Sequence, residues 1–294
     1  MLGLGVLVFI VFVVALVFAL FRRNRHSDSD DEATSQPAAR VSGRLFAIVG
    51  IVLPAVIVVV VLAATVVAMR AVPDSSEEAP GALEIEVIAH QWWWEVRYPD
   101  EGFTTANELH IPVDEPVVLR LSSTDVIHSF WVPRLGGKLD MLPDGPTTMV
   151  LEADEPGEYP SQCAEFCGIG HANMSLTVVA EPEQEFTSWL SAREAPAEEP
   201  SGEVAQGLEV FTASDCADCH TIRGAAEEAT EPAPDLSHLA DRPHLAATFL
   251  PNTRANLADW IAHPRAIKPG AEMPATDLSE EDLDVLLDYL EGLE

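Results

Sequence analysis

Two uncharged apolar runs constrain this chain more than any other feature. Leu2 to Phe21 spans 20 residues and Leu45 to Met69 spans 25, and each is long enough as a helix to cross a hydrocarbon core of about 30 Å. The pair predicts a two-helix transmembrane hairpin over residues 1–72, with spans at 2–21 and 45–69. A cleaved signal peptide is the alternative for the first run. Against it, no basic region precedes the run, which ends in Ala19, Leu20, Phe21, Arg22 and Arg23 instead of a small-residue cleavage site. Arg22, Arg23, Arg25, Arg40 and Arg44 collect between the spans, so that loop is expected on the cytoplasmic side of a plasma membrane and the rest of the chain on the outer side.

What lies beyond Met69 is acidic. The chain carries 48 Asp and Glu against 16 Lys and Arg, a formal net charge of −32. Such a surface repels phosphate backbones, which excludes nucleic acid as a partner class. It suits either attraction of a basic electron carrier or adaptation to high salt, and the even spread of acids along the soluble stretches leaves both readings open.

At 294 residues the chain has room for two or three modules. From Leu83 to about Glu181, short runs of Val, Ile, Leu, Thr and Trp, such as Ile111 to Leu121 and Ser175 to Val179, are punctuated by Gly, Pro and Asp turns, which predicts an all-β sandwich or barrel over 83–181. Residues 182–202 read as a linker, its Ala192 to Gly202 portion rich in Ala, Glu, Pro and Ser and too polar to pack. Residues 203–294 read as helical: Ser279 is placed to cap a helix in which Leu283, Leu286, Leu287 and Leu290 form one apolar face.

Chemistry concentrates around four cysteines in two close pairs. Cys163, Cys167, His171 and Met174 lie in one short stretch, with Glu165 inside it and His128 upstream in His-Ser-Phe-Trp-Val-Pro. Two thiolates, two imidazoles and a thioether form a soft ligand set that favours copper. A structural zinc site from the two cysteines and two histidines is the alternative, and it leaves Met174 without a role. Two thiolates four residues apart are able to bridge two copper ions, where a mononuclear blue-copper site needs only one.

These motifs resemble, ligand by ligand, the copper site of subunit II of cytochrome c oxidases. The resemblance implies a cupredoxin-like fold and a dinuclear copper centre, CuA. One copper would take His128 and Met174, the other His171 and the Glu165 backbone carbonyl, with Cys163 and Cys167 bridging. It also implies a magnesium ion touched by the Glu165 side chain at the border with the catalytic subunit. The run His90, Gln91, Trp92, Trp93, Trp94, Glu95 is similar to the family's aromatic strand, whose first tryptophan, here Trp92, receives electrons from cytochrome c. On a strand Trp92 and Trp94 would share one face and Trp93 the other, so at least one is expected exposed; an interfacial aromatic belt is the alternative. Lys138 and Asp140 match positions near the subunit border. Two departures stand out. Ala47 and Gly50 precede Pro54 where many members carry a carboxylate and a tryptophan, and Pro143, Asp144 and Gly145 follow Asp140 in place of a Pro-Gly-Arg turn.

Cys216, Cys219 and His220 form the C-x-x-C-H arrangement, in which two thioethers anchor haem c and the imidazole reaches the iron. Met273 is the one methionine downstream of His220 and the candidate second axial ligand. A redox C-x-x-C is the alternative, but the segment lacks a βαβ context. Stretches around Pro234, Leu250 and Trp260 resemble the class I cytochrome c domain fused to subunit II in caa3-type oxidases. His90, His110, His238, His244 and His263 are assigned no ligand role.

The resemblance thus implies a respiratory terminal oxidase subunit that relays electrons from cytochrome c or an upstream complex, through haem c and copper, to catalytic subunit I, which with the other oxidase subunits and membrane lipid completes its partners. Oxygen reduction itself would occur in that other subunit. The rivals are a donor subunit of a nitric oxide reductase and a stand-alone membrane-anchored redox carrier.

Overall fold

The computed structural model describes residues 5, 8–15, 17–18, 48–70, 81–197, 200–202 and 204–294. The chain divides into two units, and residues 74–294 form the larger one.

In the smaller unit, one helix among the described residues, Ile48–Met69, is long and apolar enough to cross a membrane. It opens as a π-helical turn over Ile48–Val52 and continues as α1, Leu53–Arg70. Pro54 has no N–H to return to the Gly50 carbonyl, and the turn widens where that hydrogen bond is missing. Residues 8–15 and 17–18 are helical and exposed, but the remainder of the expected first span and the whole arginine-bearing loop lie outside the described residues. The expected hairpin is therefore represented by its second span.

The first half of the larger unit is a sandwich of ten strands: β1 Glu84–His90, β2 Trp93–Tyr98, β3 Phe103–Ala106, β4 Glu108–Pro112, β5 Val117–Ser123, β6 His128–Phe130, β7 Leu139–Met141, β8 Thr147–Leu151, β9 Gly157–Gln162 and β10 Ser175–Glu181. A five-stranded sheet in the order β3-β2-β1-β5-β8 faces a three-stranded sheet in the order β4-β10-β9, and β6 pairs with β7. Alternation decides which residues enter the core. On β1, Ile85 and Val87 are buried while Glu84 and Glu86 stay partly exposed, and the parallel register sets Ile85 beside Leu119 and Val87 beside Leu121. Both partners on β5 are fully buried. Burying each such side chain contributes about 1.5–3 kcal/mol. This is the all-β, cupredoxin-like arrangement that the sequence led us to expect.

Three sequence expectations change. Ile111 to Leu121 is broken into β4 and β5 by a turn at 113–116. Trp92 lies in the turn between β1 and β2, not on a strand, so it does not share a sheet face with Trp94. Trp94 is fully buried, edge-on to Phe130 at 6.0 Å, and Trp93 stacks on His90 at 4.3 Å. The third change concerns the linker: its first part folds as helix α2, Glu183–Glu194. Phe186 and Arg193 are buried, and Trp189 stacks on His110 at 3.9 Å and packs edge-on against Tyr98 and Phe103. The His110 ring is also held by Glu181 at 2.9 Å, so that histidine is part of the seal of the sandwich.

The second half gathers α3 Val204–Ala213, α4 Arg254–Ala262, α5 Pro264–Ile267 and α6 Glu280–Leu290 around a separate core of Phe211, Ile222, Leu257, Ile261, Leu286, Leu287 and Leu290. A two-stranded ribbon, β11 His244–Leu245 with β12 Leu250–Pro251, interrupts an otherwise helical fold. The Ser279 hydroxyl accepts from the Asp282 N–H at 3.1 Å, capping α6 as expected, and Glu280, Glu281 and Asp282 complement the helix dipole. α3 and α6 cross so closely at Gly207 that a Cβ there would collide with the Val285 carbonyl oxygen and the Tyr289 Cβ.

The two halves share a contact rich in cations. Arg193 pairs with Asp241 at 2.6 Å, Arg242 with Glu108 at 3.8 Å, and Arg223 donates to the Gly102 carbonyl.

The Gly207 crossing is a direct test of this packing. Gly207→Val forces backbone apart from backbone and is expected to lower stability by about 1–3 kcal/mol, read as a reduced unfolding temperature by calorimetry, whereas Gly136→Val, in open space, leaves it nearly unchanged.

Candidate functional site

The ligand loop is set by strand register. β9 and β10 pair antiparallel with Gln162 opposite Ser175, which makes Cys163 and Met174 the first residues off the ladder on either side; the Cys163 N–H still donates to the Met174 carbonyl at 3.3 Å. The loop between them folds back on itself through a 3-10 turn at His171–Asn173. Its two sulfur atoms, Cys163 Sγ and Cys167 Sγ, lie 3.8 Å apart.

Nitrogen, sulfur and oxygen donors surround that pair. His128 Nδ1 is 3.9 Å from Cys163 Sγ, His171 Nδ1 is 3.6 Å from Cys167 Sγ, Met174 Sδ is 4.0 Å from Cys167 Sγ, and the Glu165 carbonyl oxygen is 3.2 Å from Cys163 Sγ. The ligating atoms of His128, Cys163 and Cys167 all fall within 4.8 Å of one another, and all three residues are buried. Every ligand proposed from the sequence is thus brought to one place, a soft donor set with thiolate, imidazole and thioether that fits copper.

Electrostatics agree with a cation between the sulfurs. The Cys167 S–H beside it stabilises the Cys163 thiolate, which outweighs burial, so Cys163 is held down to about 3. The same proximity, with burial, pushes the Cys167 thiol well above its ordinary range. One proton is therefore retained by the pair until a metal charge replaces it. Burial opposes charge on His128, but Cys163 and Asp125 together raise its pKa above the usual value.

Asp125 was not singled out in the sequence. Its carboxylate sits 2.7 Å from His128 Nε2, which fixes the ring with Nδ1 toward the sulfurs. Gln91 was missed too: its side-chain amide donates to the Cys167 carbonyl at 2.6 Å, and the Trp92 indole N–H donates to the same oxygen at 3.0 Å. The half-buried Trp92 ring lies over Gly168 and Gly170 of the ligand loop. Close spacing ahead of a ligating histidine was a usable signal for Asp125; Gln91 offered none, because its partner is 76 residues away.

Lys138, Asp140 and Glu165 meet at the surface, Lys138 Nζ being 2.8 Å from Asp140 and 3.6 Å from Glu165. The Glu165 side chain is about half exposed, while its backbone faces the sulfurs.

In the helical half, a 3-10 turn at Cys216–Asp218 carries the second cysteine pair, and the His220 N–H donates back to the Cys216 carbonyl at 2.9 Å. His220 Nδ1 bonds the Pro234 carbonyl at 2.7 Å, which assigns the ring proton to Nδ1 and leaves Nε2 as a free lone pair. Burial lowers the His220 pKa and keeps the ring neutral. Burial likewise raises both Cys216 and Cys219, which remain thiols, the form that adds to a vinyl group. Met273 is half-buried and packs on the same core as Cys216. A neutral imidazole and two thiols in one turn, with Cys216 and the Met273 thioether packed on the same core, fit a haem. Of the remaining histidines, His90 bonds Glu95 at 2.9 Å, where the His90 and Arg97 hydrogen bonds outweigh burial and lower the Glu95 pKa, and His238 bonds the carbonyls of Glu294 and Ala195.

Comparison with known proteins matches both halves. The family "Cytochrome C oxidase subunit II, periplasmic domain" matches residues 102–181, and "Cytochrome c" matches residues 204–294. The chain is 36% identical over 286 residues to cytochrome c oxidase subunit 2 of Alkalihalophilus pseudofirmus, covering 96% of this chain and 82% of that one. It is 31% identical over 294 residues to cytochrome c oxidase subunit 2 of Bacillus subtilis, covering 94% and 81%. Among solved structures, the periplasmic domain of subunit II of cytochrome oxidase of Bradyrhizobium japonicum is 28% identical, covers 42% of this chain and 96% of its own, and has a TM-score of 0.38.

Two outcomes are expected at the sulfur pair. Asp125→Asn removes the charge that orients His128 and is expected to weaken copper retention about 10- to 100-fold, measured by chelator competition. Copper uptake displaces the proton held on Cys167 and competes with protons on His128, so affinity falls as pH falls; calorimetry in buffers of different ionisation enthalpy reads the protons released.

Proposed function

Because the chain belongs to the cytochrome c oxidase subunit 2 family, we propose that it feeds electrons, through a covalently attached haem c and a dinuclear copper centre held by its own outer domains, to the catalytic subunit of a terminal oxidase. It is the subunit through which electrons enter a haem-copper oxidase, and a membrane protein with a periplasmic domain. The observation that carries the proposal is the buried pair of sulfurs 3.8 Å apart, with a histidine Nδ1 at either end.

His128, Cys163, Glu165 through its carbonyl, Cys167, His171 and Met174 would hold the copper pair, and Cys216, Cys219, His220 and Met273 the haem. When bound, these groups supply one-electron exchange at nearly fixed geometry. The protein's part is to keep that geometry fixed. Asp125 holds the His128 ring, the Pro234 carbonyl holds the His220 ring, and Gln91 and Trp92 both restrain the Cys167 carbonyl. The Trp92 indole, bonded to the ligand loop, is the residue we assign to receiving electrons on their way to copper.

The finer readings follow the same line. Residues 1–72 form a two-span anchor in the plasma membrane, 83–194 the copper domain with its sealing helix α2, 195–203 the connection and 204–294 the haem domain. Phe166, 76% exposed within the ligand loop, with the exposed Val126 and Ile127 just before His128 and the exposed Leu142 after its strand partner Met141, supports docking of an apolar partner surface, catalytic subunit I, against this end of the sandwich. The Lys138, Asp140 and Glu165 cluster supports a magnesium ion at that border. The electron donor is cytochrome c or an upstream respiratory complex.

Purification in mild detergent, with metal and haem analysis and optical and EPR spectra, tests the proposal. Two coppers with a mixed-valence signal, one covalent haem and a co-purifying oxygen-reducing subunit are expected. One zinc without copper, or a nitric oxide-reducing partner, would overturn it. Phe166→Asp is expected to reduce recovery of the partner while leaving both spectra intact.

A further inference from the structure

Lys268 sits where the two halves of the larger unit meet, between α5 and Met273. The residue is 4% exposed, and among the described residues no carboxylate pairs with its ammonium. Nζ donates instead to two backbone carbonyls, Trp92 at 2.7 Å and Ala246 at 3.0 Å. Burial pushes the amine down to about 8, with Cys167 pulling in the opposite direction.

Both carbonyls belong to unusual backbone. Trp92 is the turn residue whose indole donates to Cys167. Ala246, Ala247 and Thr248 are three successive non-glycine residues in the left-handed region, with φ of 55°, 61° and 63°. Such a turn persists only where its surroundings hold it. Here Lys268 takes the Ala246 carbonyl, and the Ser175 N–H, next to Met174, donates to the Ala247 carbonyl at 3.4 Å.

Gly270 completes the contact. Its φ is +94°, and a Cβ there would lie 2.5 Å from both Ile169 Cγ2 and Trp92 Cζ3. The loop that leads to Met273 therefore lies backbone-first on the Trp92 ring and on the copper ligand loop.

We infer that Lys268 and Gly270 are positioning residues that clamp the Met273 loop onto Trp92, so that the copper domain receives electrons from this chain's own haem domain and Trp92 is closed to an external carrier. This inference rests on the electron-relay reading above. The clamp bridges covalently distant segments in one hydrogen-bonded series: Cys167 carbonyl to Trp92 indole, Trp92 carbonyl to Lys268, and Lys268 along the chain to Met273.

The test uses the full chain, with Lys268→Met, which keeps length and loses the donors, and Gly270→Ala, which lifts the same loop from its backbone side. Hydrogen exchange by mass spectrometry is read first, without metals or haem reduction. Faster exchange confined to 90–94, 168–171, 246–249 and the Ser175 amide bonded to Ala247, with α6 and the rest of β10 unchanged, is expected. In the assembled complex, photoreduction of the haem followed at the copper absorption band is expected to slow about tenfold or more with both spectra unaltered, while an external cytochrome gains direct reduction of copper. Unchanged exchange in those three segments, or internal transfer within about twofold of wild type, would overturn the clamp. If Lys268→Met unfolds globally, Gly270→Ala decides by the same criteria. Absence of copper or haem in the wild-type protein would defeat the relay reading, and the exchange measurement would still decide whether the contact exists.

Discussion

Everything in the copper half depends on where one antiparallel ladder stops. With Gln162 opposite Ser175, the ladder ends at Cys163 and Met174, and the loop between must close over a short gap. Closing it crowds two sulfurs and an inward carbonyl into a buried space, where an unpaired thiolate is costly. A cation between the sulfurs relieves that cost, and β6 supplies His128, whose Nδ1 lies 3.9 Å from Cys163 Sγ. The sandwich beneath contributes rigidity, because the fully buried Trp94 packs edge-on against both the His128 ring and the fully buried Phe130.

Chemistry written in adjacent residues was legible in the sequence; chemistry assembled from distant ones was not. The ligand loop, the C-x-x-C-H turn and the Ser279 cap are local patterns, and the structure brings each together as expected. Helix α2 was misread because Glu, Gln, Ser and Arg dominate its composition, yet Phe186, Trp189, Leu190 and Arg193 stand at i, i+3, i+4 and i+7, and these are the residues that pack. Periodicity outranked polarity there. Trp92 was misplaced because period-two reasoning presumes an unbroken strand, and the turn at Gln91 and Trp92 interrupts it. Lys268 had no local signal at all, its partners Trp92 and Ala246 being 176 and 22 residues away.

The acidity of the chain gives its few cations unequal weight. Arg254 gathers Asp284, Asp288 and Glu291 on the surface, where solvent screens such pairs. Arg193, Arg242 and Lys268 are different, because each is buried where the two halves meet. Burial makes these contacts directional, and losing either member leaves an uncompensated polar group behind.

Helix α2 also shortens the tether. Since α2 ends at Glu194 and α3 begins at Val204, the two halves are joined by residues 195–203, which at about 3.4 Å apiece reach no farther than about 30 Å. A haem domain that lets go therefore stays within that radius, at an effective concentration of the order of millimolar. Rejoining is a first-order event, independent of how much protein the membrane holds, and even individually weak contacts keep the halves together.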